Sequence, residues 1–240
     1  MTRFHFIRWT FLSTLAMALC HATFAAAADD AKPADGKLVP LKYEIPKALF
    51  VGTPKNIKAS ATLEVYSEKP LPPLMVPDGY TNLAAKKKVT SSDSAPIIGE
   101  LSLVTDGDTD GADGSFVELA PGKQWVQIDL ENAADVSAIV IWHYYAEGRV
   151  YHSVVVQISD DPEFTKGVTT VFNNDFANAL GFGVGKQLEY IDDHRGKVIA
   201  VKDEKGRPVR GRYVRLHSNG NTSSDQNHYI EVEVFGKPVK

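Results

Sequence analysis

Short runs of alternating apolar and polar residues recur along the chain after residue 82, and turn-forming residues separate them. The runs are rich in Val, Ile, Tyr and Trp. A period of two places successive side chains on opposite faces of a strand. Many short strands without a long amphipathic helix predict an antiparallel β-sandwich or barrel. The predicted strands are Trp125–Leu130, Ser137–Tyr145, Ser153–Ser159, Val168–Phe172, Lys197–Val201, Arg212–Ser218 and Tyr229–Phe235.

Residues 1–28 have the pattern of a secretory signal. Arg3 and Arg8 precede the apolar run Phe11–Leu19, and small residues follow at 25–27. The run is far shorter than the roughly 20 residues that cross a membrane, so no transmembrane segment is predicted. Cys20 would anchor a lipoprotein, but Leu19 is bulky where a small residue is expected. The predicted location is therefore exported, either periplasmic or secreted.

Residues 29–81 form a proline-rich N-terminal arm or linker in this prediction. Seven prolines lie between positions 38 and 77, and proline disfavours helix interiors. One or two short strands are expected here, with Ala61–Ser67 as the clearest candidate. The arm either lies on the sandwich or links it to a surface, and the sandwich itself is predicted for residues 82–240.

Composition narrows the partners. The chain has 240 residues, 26 basic and 30 acidic, with a net charge of −4 and no basic tract. This balance disfavours nucleic acid and anionic membranes. Cys20 is the only cysteine and would leave with the signal, so packing or a bound ion must supply any additional stability.

An acidic, glycine-rich stretch lies between two apolar segments at Leu101–Leu119. It contains the aspartates Asp106, Asp108, Asp110 and Asp113 and the glycines Gly107, Gly111 and Gly114. Clustered carboxylates on a sharply turning backbone suit Ca²⁺, which prefers hard oxygen ligands. The alternative is a solvated acidic turn. An EF-hand is disfavoured, because Val117 stands where its bidentate acid belongs.

The order of several motifs resembles discoidin domains, also called coagulation factor 5/8 type C domains, which are galactose-binding-domain-like jelly rolls. The similarity runs from Asn82 to Lys237. The motifs that carry it are Asn82–Ala84 with Val89–Ser92, the aspartate stretch, Trp125–Leu130, Ser137–Trp142, Val155–Asp160, Arg212–Leu216 and Ile230–Gly236. The resemblance implies an all-β antiparallel jelly-roll sandwich.

The resemblance also implies a structural calcium ion. The side chains of Asp106 and Asp108 would bind it, together with the distant carboxylate of Glu231 on the last strand. Carbonyl groups would complete the site, and the candidates are Leu103, Asp110, Gly111 and Ile230. Such an ion would tie an early loop to the last strand.

Members of this family bind sugars, phospholipid heads or proteins through loops at one end of the sandwich. Two polar clusters at the expected loops are candidates for a ligand site. The first comprises His143, Tyr145 and Arg149, with cross-strand pairing on a sheet face as the alternative. The second comprises Asn219, Asn221 and His228, with a polar turn as the alternative.

The long loop Asn173–Gln187 contains three glycines and is either a functional loop or a crossover. No nucleophile or metalloprotease motif is present, and Asp192-Asp193-His194 is interpreted as a hydrated turn. The sequence therefore predicts a non-catalytic module that binds carbohydrate or glycoconjugate. The alternative is a protein-interaction module of an envelope complex, with another envelope protein as partner; a hydrolase ranks third.

Overall fold

The computed structural model describes Met1, residues 37–112 and residues 114–239. The predicted signal, the first residues of the arm and Asp113 lie outside the described residues. A 3-10 helix spans Leu101–Thr105. The strands are β1 Leu38–Pro40, β2 Met75–Pro77, β3 Thr81–Asn82, β4 Lys88–Ser91, β5 Val117–Leu119, β6 Lys123–Trp142, β7 Val155–Ser159, β8 Thr169–Asn173, β9 Lys197–Ala200, β10 Val209–Asn219, β11 Asn227–Tyr229 and β12 Glu231–Pro238.

The strand β6 is the centre of the fold, because both of its halves are paired on both edges. Its first half pairs with β4 and β10, and its second half pairs with β12 and β9. β7 and β8 extend the sheet beyond β10, and β3 pairs with β12. All of these pairings are antiparallel. The predicted all-β antiparallel fold is confirmed.

The sequence predicts two strands where β6 is one. Glu131 adopts a left-handed conformation (φ 69°), and its backbone N–H donates to Asp129 Oδ1 at 2.8 Å. The pairing of β10 shifts at the same level, between Gly211 and Tyr213. An irregularity of this kind bends a strand without ending it. The polar residues between the predicted strands therefore form a bend in β6.

The main core lies on one face of this sheet. In β6 it takes Val126 and Ile128 from the first half and Ile139 and Ile141 from the second half. Val214, Leu216, Val232 and Val234 contribute from β10 and β12. Each of these pairs is spaced by two residues, as the alternating pattern predicts. Burial of such side chains contributes about 2 kcal/mol each.

Residues 37–77 cover the opposite face of the second half of β6. β1 pairs with β2, and Tyr43 packs edge-on against Trp142 with a centroid distance of 5.7 Å. Val76 is buried with Trp142 and Val140 in a second apolar cluster, against which Leu41 packs. Both faces of this part of β6 are therefore buried. The arm and the sandwich belong to the same compact unit, Pro33–Lys240.

The predicted strand Ala61–Ser67 is wrong. A turn occupies its start, and Leu63 alone forms a bridge, to Glu189. The neighbouring backbone groups of Thr62 and Glu64 also bond to Glu189, at 2.8 and 2.9 Å. Glu189 lies in an irregular segment, so no strand edge is available to extend the pairing. No helix in the described part of the chain is long and apolar enough to cross a membrane.

Candidate functional site

The aspartate stretch folds into a chain of small turns. Asp106 Oδ1 accepts the N–H of Asp108 at 2.8 Å, and Asp108 Oδ1 accepts the N–H of Asp110 at 2.9 Å. Asp110 Oδ1 accepts the N–H of Ala112 at 3.2 Å. Each aspartate uses one carboxylate oxygen in this way, which leaves the other available. The lysine Lys86 also donates to the Asp106 carbonyl.

Tyr145 fixes the far end of this stretch. Its hydroxyl accepts the N–H of Gly111 at 2.9 Å and donates to the Thr109 carbonyl at 3.0 Å. A Cβ at Gly111 would lie 2.8 Å from the Tyr145 ring, so only glycine fits there. Burial raises the pKa of Tyr145 to about 12, and the hydroxyl therefore stays neutral. Tyr145, predicted as a ligand-binding residue, is buried and holds the aspartate stretch instead.

Glu231 connects the last strand to this loop. Its carboxyl group is fully buried, and Oε2 accepts the N–H of Gly107 at 3.1 Å. Oε1 has no hydrogen-bond partner among the described residues. Burial, followed by the nearby Asp106 carboxylate, raises the pKa of Glu231 to about 9. A buried carboxyl group of this kind is costly when charged unless a cation offsets it.

These features fit a cation that is held largely by carbonyl oxygens. Within the described ranges, no three His, Cys, Asp or Glu side chains come together to hold a metal ion. The Leu103 carbonyl receives only a long 3.4 Å bond, from the N–H of Asp106. The unpartnered Glu231 oxygen and the free oxygens of Asp106 and Asp108 are hard ligands of the kind Ca²⁺ selects. Ile230, directly before Glu231, is fully buried.

The structure brings together the predicted ligand residues His143 and His228, but it buries them. His143 stacks on Tyr151 with a centroid distance of 4.3 Å, and its Nδ1 lies 3.0 Å from Asp192 Oδ1. The Tyr151 hydroxyl lies 3.0 Å from His228 Nδ1, and His228 Nε2 lies 3.1 Å from Glu118 Oε2. Burial lowers the pKa of His228 to about 4. The two histidines form an internal polar chain.

Asn221 also has a structural role. Its amide bonds to Ser224 and to the Gln226 carbonyl, and its oxygen accepts the N–H of Ser223 at 2.9 Å, so it shapes the turn after β10. The prediction of exposed ligand contacts is therefore wrong for His143, Tyr145, Asn221 and His228. Composition alone could not show that the arm and the neighbouring loops cover these positions. Arg149 and Asn219 are partly exposed and stay predictions.

Phe50 and Pro54 of the arm cover the loop of the first predicted cluster. A Cβ at Gly148 would lie 2.5 Å from Pro54 Cγ and 2.9 Å from Phe50 Cζ. Gly148 has a left-handed backbone (φ 61°), which glycine adopts without strain. The contact therefore requires glycine on two grounds. The proline-rich arm reaches the loop end at which the sequence places a ligand.

The glycine-rich loop 173–187 is ordered around Asp175. The buried Asp175 carboxylate accepts the Ser153 hydroxyl and the N–H of Ala179, each at 3.0 Å, and the N–H of Leu180 at 2.8 Å. Asn178 Oδ1 then accepts the N–H of Gly183 at 2.8 Å. These bonds hold the loop in one shape and determine which side chains stand at its tip.

Phe182 stands at that tip between Gly181 and Gly183, both with left-handed backbones. Its ring is 42% exposed and covers His217 of β10 at a centroid distance of 4.7 Å. His217 is buried, and its Nε2 has no partner among the described residues. A cleft of about 460 Å³ adjoins the ring, with Asn173, Lys186 and Gln187 in its lining. Sequence reasoning identified this loop but not His217.

His217 carries an uncharged imidazole. Burial, followed by the Arg215 charge, lowers its pKa to about 4. A neutral imidazole with a free nitrogen accepts or donates one hydrogen bond, depending on its tautomer. Beside an exposed phenyl ring, it can bond to a hydroxyl group of a ligand that stacks on the ring.

Asp192 and Asp193 were predicted to lie in a hydrated turn, and this is wrong. Both side chains are more than nine-tenths buried. Asp192 pairs with His143, and Asp193 receives the guanidinium of Arg195 through both oxygens. Arg195 follows within two residues, so the charged partner was visible in the sequence. Their burial depends on the arm, which sequence periodicity did not place.

Comparison with known proteins gives a family match. Residues 103–191 match the F5/F8 type C model described as a NedA-like, galactose-binding domain. This range begins at the aspartate stretch and ends next to Asp192, so it contains the glycine-rich loop. None of the curated proteins matches the chain. The predicted resemblance to the family is confirmed by the match.

Several solved structures are similar to the chain at low identity. A family 89 glycoside hydrolase from Clostridium perfringens is 20% identical with a TM-score of 0.48, and the match covers 66% of this chain and 15% of that enzyme. A chitosan-binding module from Paenibacillus sp. IK-5 is 23% identical with a TM-score of 0.43, covering 65% and 99%. A fucolectin from Morone saxatilis is 19% identical with a TM-score of 0.46, covering 67% and 50%.

Proposed function

We propose that this F5/F8 type C, galactose-binding-like domain is a non-catalytic module that binds carbohydrate at the tip of loop 173–187. The observation that supports it is the exposed Phe182 ring over the neutral, unpartnered imidazole of His217. A sugar ring presents C–H groups on one face and hydroxyl groups at its edge. Phe182 would contact the face, and His217 would bond to a hydroxyl group.

The polar residues of the adjoining cleft would set the orientation of the sugar. Lys186 and Gln187 lie in its lining, and the Gln187 side-chain oxygen accepts the N–H of Asn173 at 3.0 Å. That bond leaves the Gln187 amide group to donate to a ligand. A few placed polar groups beside an apolar surface are typical of small-ligand sites.

We also propose a structural Ca²⁺ ion in the aspartate stretch. Glu231, Asp106 and Asp108 would bind it through carboxylate oxygens, and carbonyl groups such as that of Leu103 would complete the shell. The ion would offset the charge of the buried Glu231 carboxylate. Export to the periplasm or outside the cell remains part of the proposal, because Ca²⁺ is abundant there.

A glycan array followed by isothermal titration tests the carbohydrate proposal. The array identifies a glycan, and the titration then compares the wild type with Phe182→Ala and Phe176→Ala. Phe176 is also exposed on this loop, at 37%, but does not line the cleft. Loss of a stacking ring should weaken binding by about tenfold in the Phe182 variant only. The proposal fails if the array shows no binding or both variants bind like the wild type.

The second candidate is a protein-interaction module in an envelope complex. Exposed Leu38, Ile45 and Met75 on the arm favour it. The same array distinguishes the two candidates: absence of glycan binding, together with one defined envelope protein recovered in pull-downs, would favour this alternative.

A further inference from the structure

A second cleft lies between the arm and the segment that precedes β9. Its volume is about 420 Å³. One wall contains Tyr66 and Leu71 of the arm, and the other contains Tyr190, Asp192 and Lys197. The arm residues lie outside the range that matches the family. The cleft is therefore separate from the Phe182 site and depends on the arm.

Two ion pairs hold the arm in place at this cleft. Arg195 bonds to Asp193 and also donates to the Lys69 carbonyl at 2.8 Å. Lys197 pairs with Glu64 of the arm. Each cation thus has an acid of its own, and together they fix the position of the arm wall.

Asp192 is the lining acid that neither cation pairs with. Its Oδ1 lies 3.0 Å from His143 Nδ1, whereas Oδ2 has no partner among the described residues. The Tyr190 hydroxyl on the same wall also lacks a partner within this part of the chain. Burial raises the pKa of the Asp192 carboxyl, so a negative charge here is costly unless a cation or a strong donor meets it.

We propose that this cleft binds a small polyhydroxy ligand that carries a primary ammonium group, of the amino-sugar class. The ammonium group would donate to Asp192 Oδ2, and a hydroxyl group would bond to the Tyr190 phenol. Lys197 already lies over the Tyr190 ring, with Nζ 4.6 Å from the centroid. The ligand would therefore reach Tyr190 at its hydroxyl edge.

Titration of the full mature chain with glucosamine, N-acetylglucosamine and glucose tests this proposal. The amine is charged at about pH 6, whereas the other two sugars are neutral. Glucosamine should bind about tenfold more tightly than either neutral sugar, since a hydrogen bond to a charged group is stronger than a neutral one. Equal binding of all three sugars, or binding of none, would overturn the proposal.

Asp192→Asn removes the charge while keeping an oxygen that can accept from His143. It should remove the preference for glucosamine. Asp160→Asn is the matched control, because Asp160 is exposed and outside the lining. Leu71→Trp fills the cleft from a side chain that is 43% exposed, so it tests the site without a buried substitution. The proposal fails if the Asp192 and Leu71 variants both retain the preference.

Phe182→Ala separates this site from the carbohydrate site at loop 173–187. It should leave the glucosamine preference unchanged, because Phe182 does not line this cleft. Loss of the preference in that variant would mean that one site accounts for all sugar binding, and the second site would be refuted.

Discussion

Replacement of His217 by glutamine should reduce the sensitivity of the fold to mild acid. In the folded protein, burial lowers the pKa of His217 from 6.5 to about 4. The unfolded chain therefore binds a proton between these values that the folded protein does not. Stability from this group is complete above about pH 6.5 and is lost as the pH falls towards 4.

The magnitude follows from the two pKa values. Between pH 7 and pH 5, the unfolded state gains about 2 kcal/mol relative to the folded state from this proton alone. A chain of this size loses roughly 2 kcal/mol per molar urea. The urea midpoint of the wild type should therefore fall by about 1 M more between pH 7 and pH 5 than that of His217→Gln.

Urea unfolding at both pH values, followed by tryptophan fluorescence, measures the difference. Glu231 and Glu233 carry raised pKa values of about 9 and 7 and act in the opposite direction. Their contribution is common to wild type and variant, so it cancels. His152→Gln is the control, because the His152 side chain is 44% exposed. The same pH response in wild type and His217→Gln would refute the argument.

Three further results are expected. Gly148→Ala should lower stability by about 2 kcal/mol more than Gly206→Ala in urea unfolding, because both glycines have left-handed backbones but only Gly148 faces Pro54; equal losses would contradict the packing of the arm. Calcium at 100 times its Kd should add about 2.7 kcal/mol to the wild type and nothing to Glu231→Gln in thermal melts with and without chelator; no shift in the wild type would count against the site. Asp175→Asn should weaken glycan binding by several-fold, because the Ala179 and Leu180 N–H groups lose a charged acceptor; unchanged titration would mean that Asp175 does not shape the Phe182 site.

The strands of the sandwich were predictable because one physical rule governs them. Val214 and Leu216 of β10 face the core, while Arg215 between them faces outward, and the sequence shows this alternation directly. The uninterrupted apolar run Ala138–Trp142 was also a signal, since it indicates burial on both faces. What covers the second face is a proline-rich segment with no periodicity of its own.

The candidate sites were harder to predict for the same reason. His143 and His228 were selected as polar residues beside aromatic ones, which is equally the composition of a buried hydrogen-bonded chain. His217 lies in a predicted strand, and it becomes a candidate only because Phe182 folds over it from another part of the sequence. Asp192 was dismissed as solvated, because its burial depends on arm residues more than 100 positions earlier.

The long strand β6 has a consequence for how this chain folds. Its halves pair with β4, β9, β10 and β12, which lie on both sides of it in the sequence. Most of these partners are distant along the chain, so their loops must close before the pairing becomes favourable. Neither half can complete its edges without strands from the C-terminal end. We therefore expect the sandwich to fold slowly and in a single cooperative step, and a chain interrupted during synthesis before β10 to have no stable substructure.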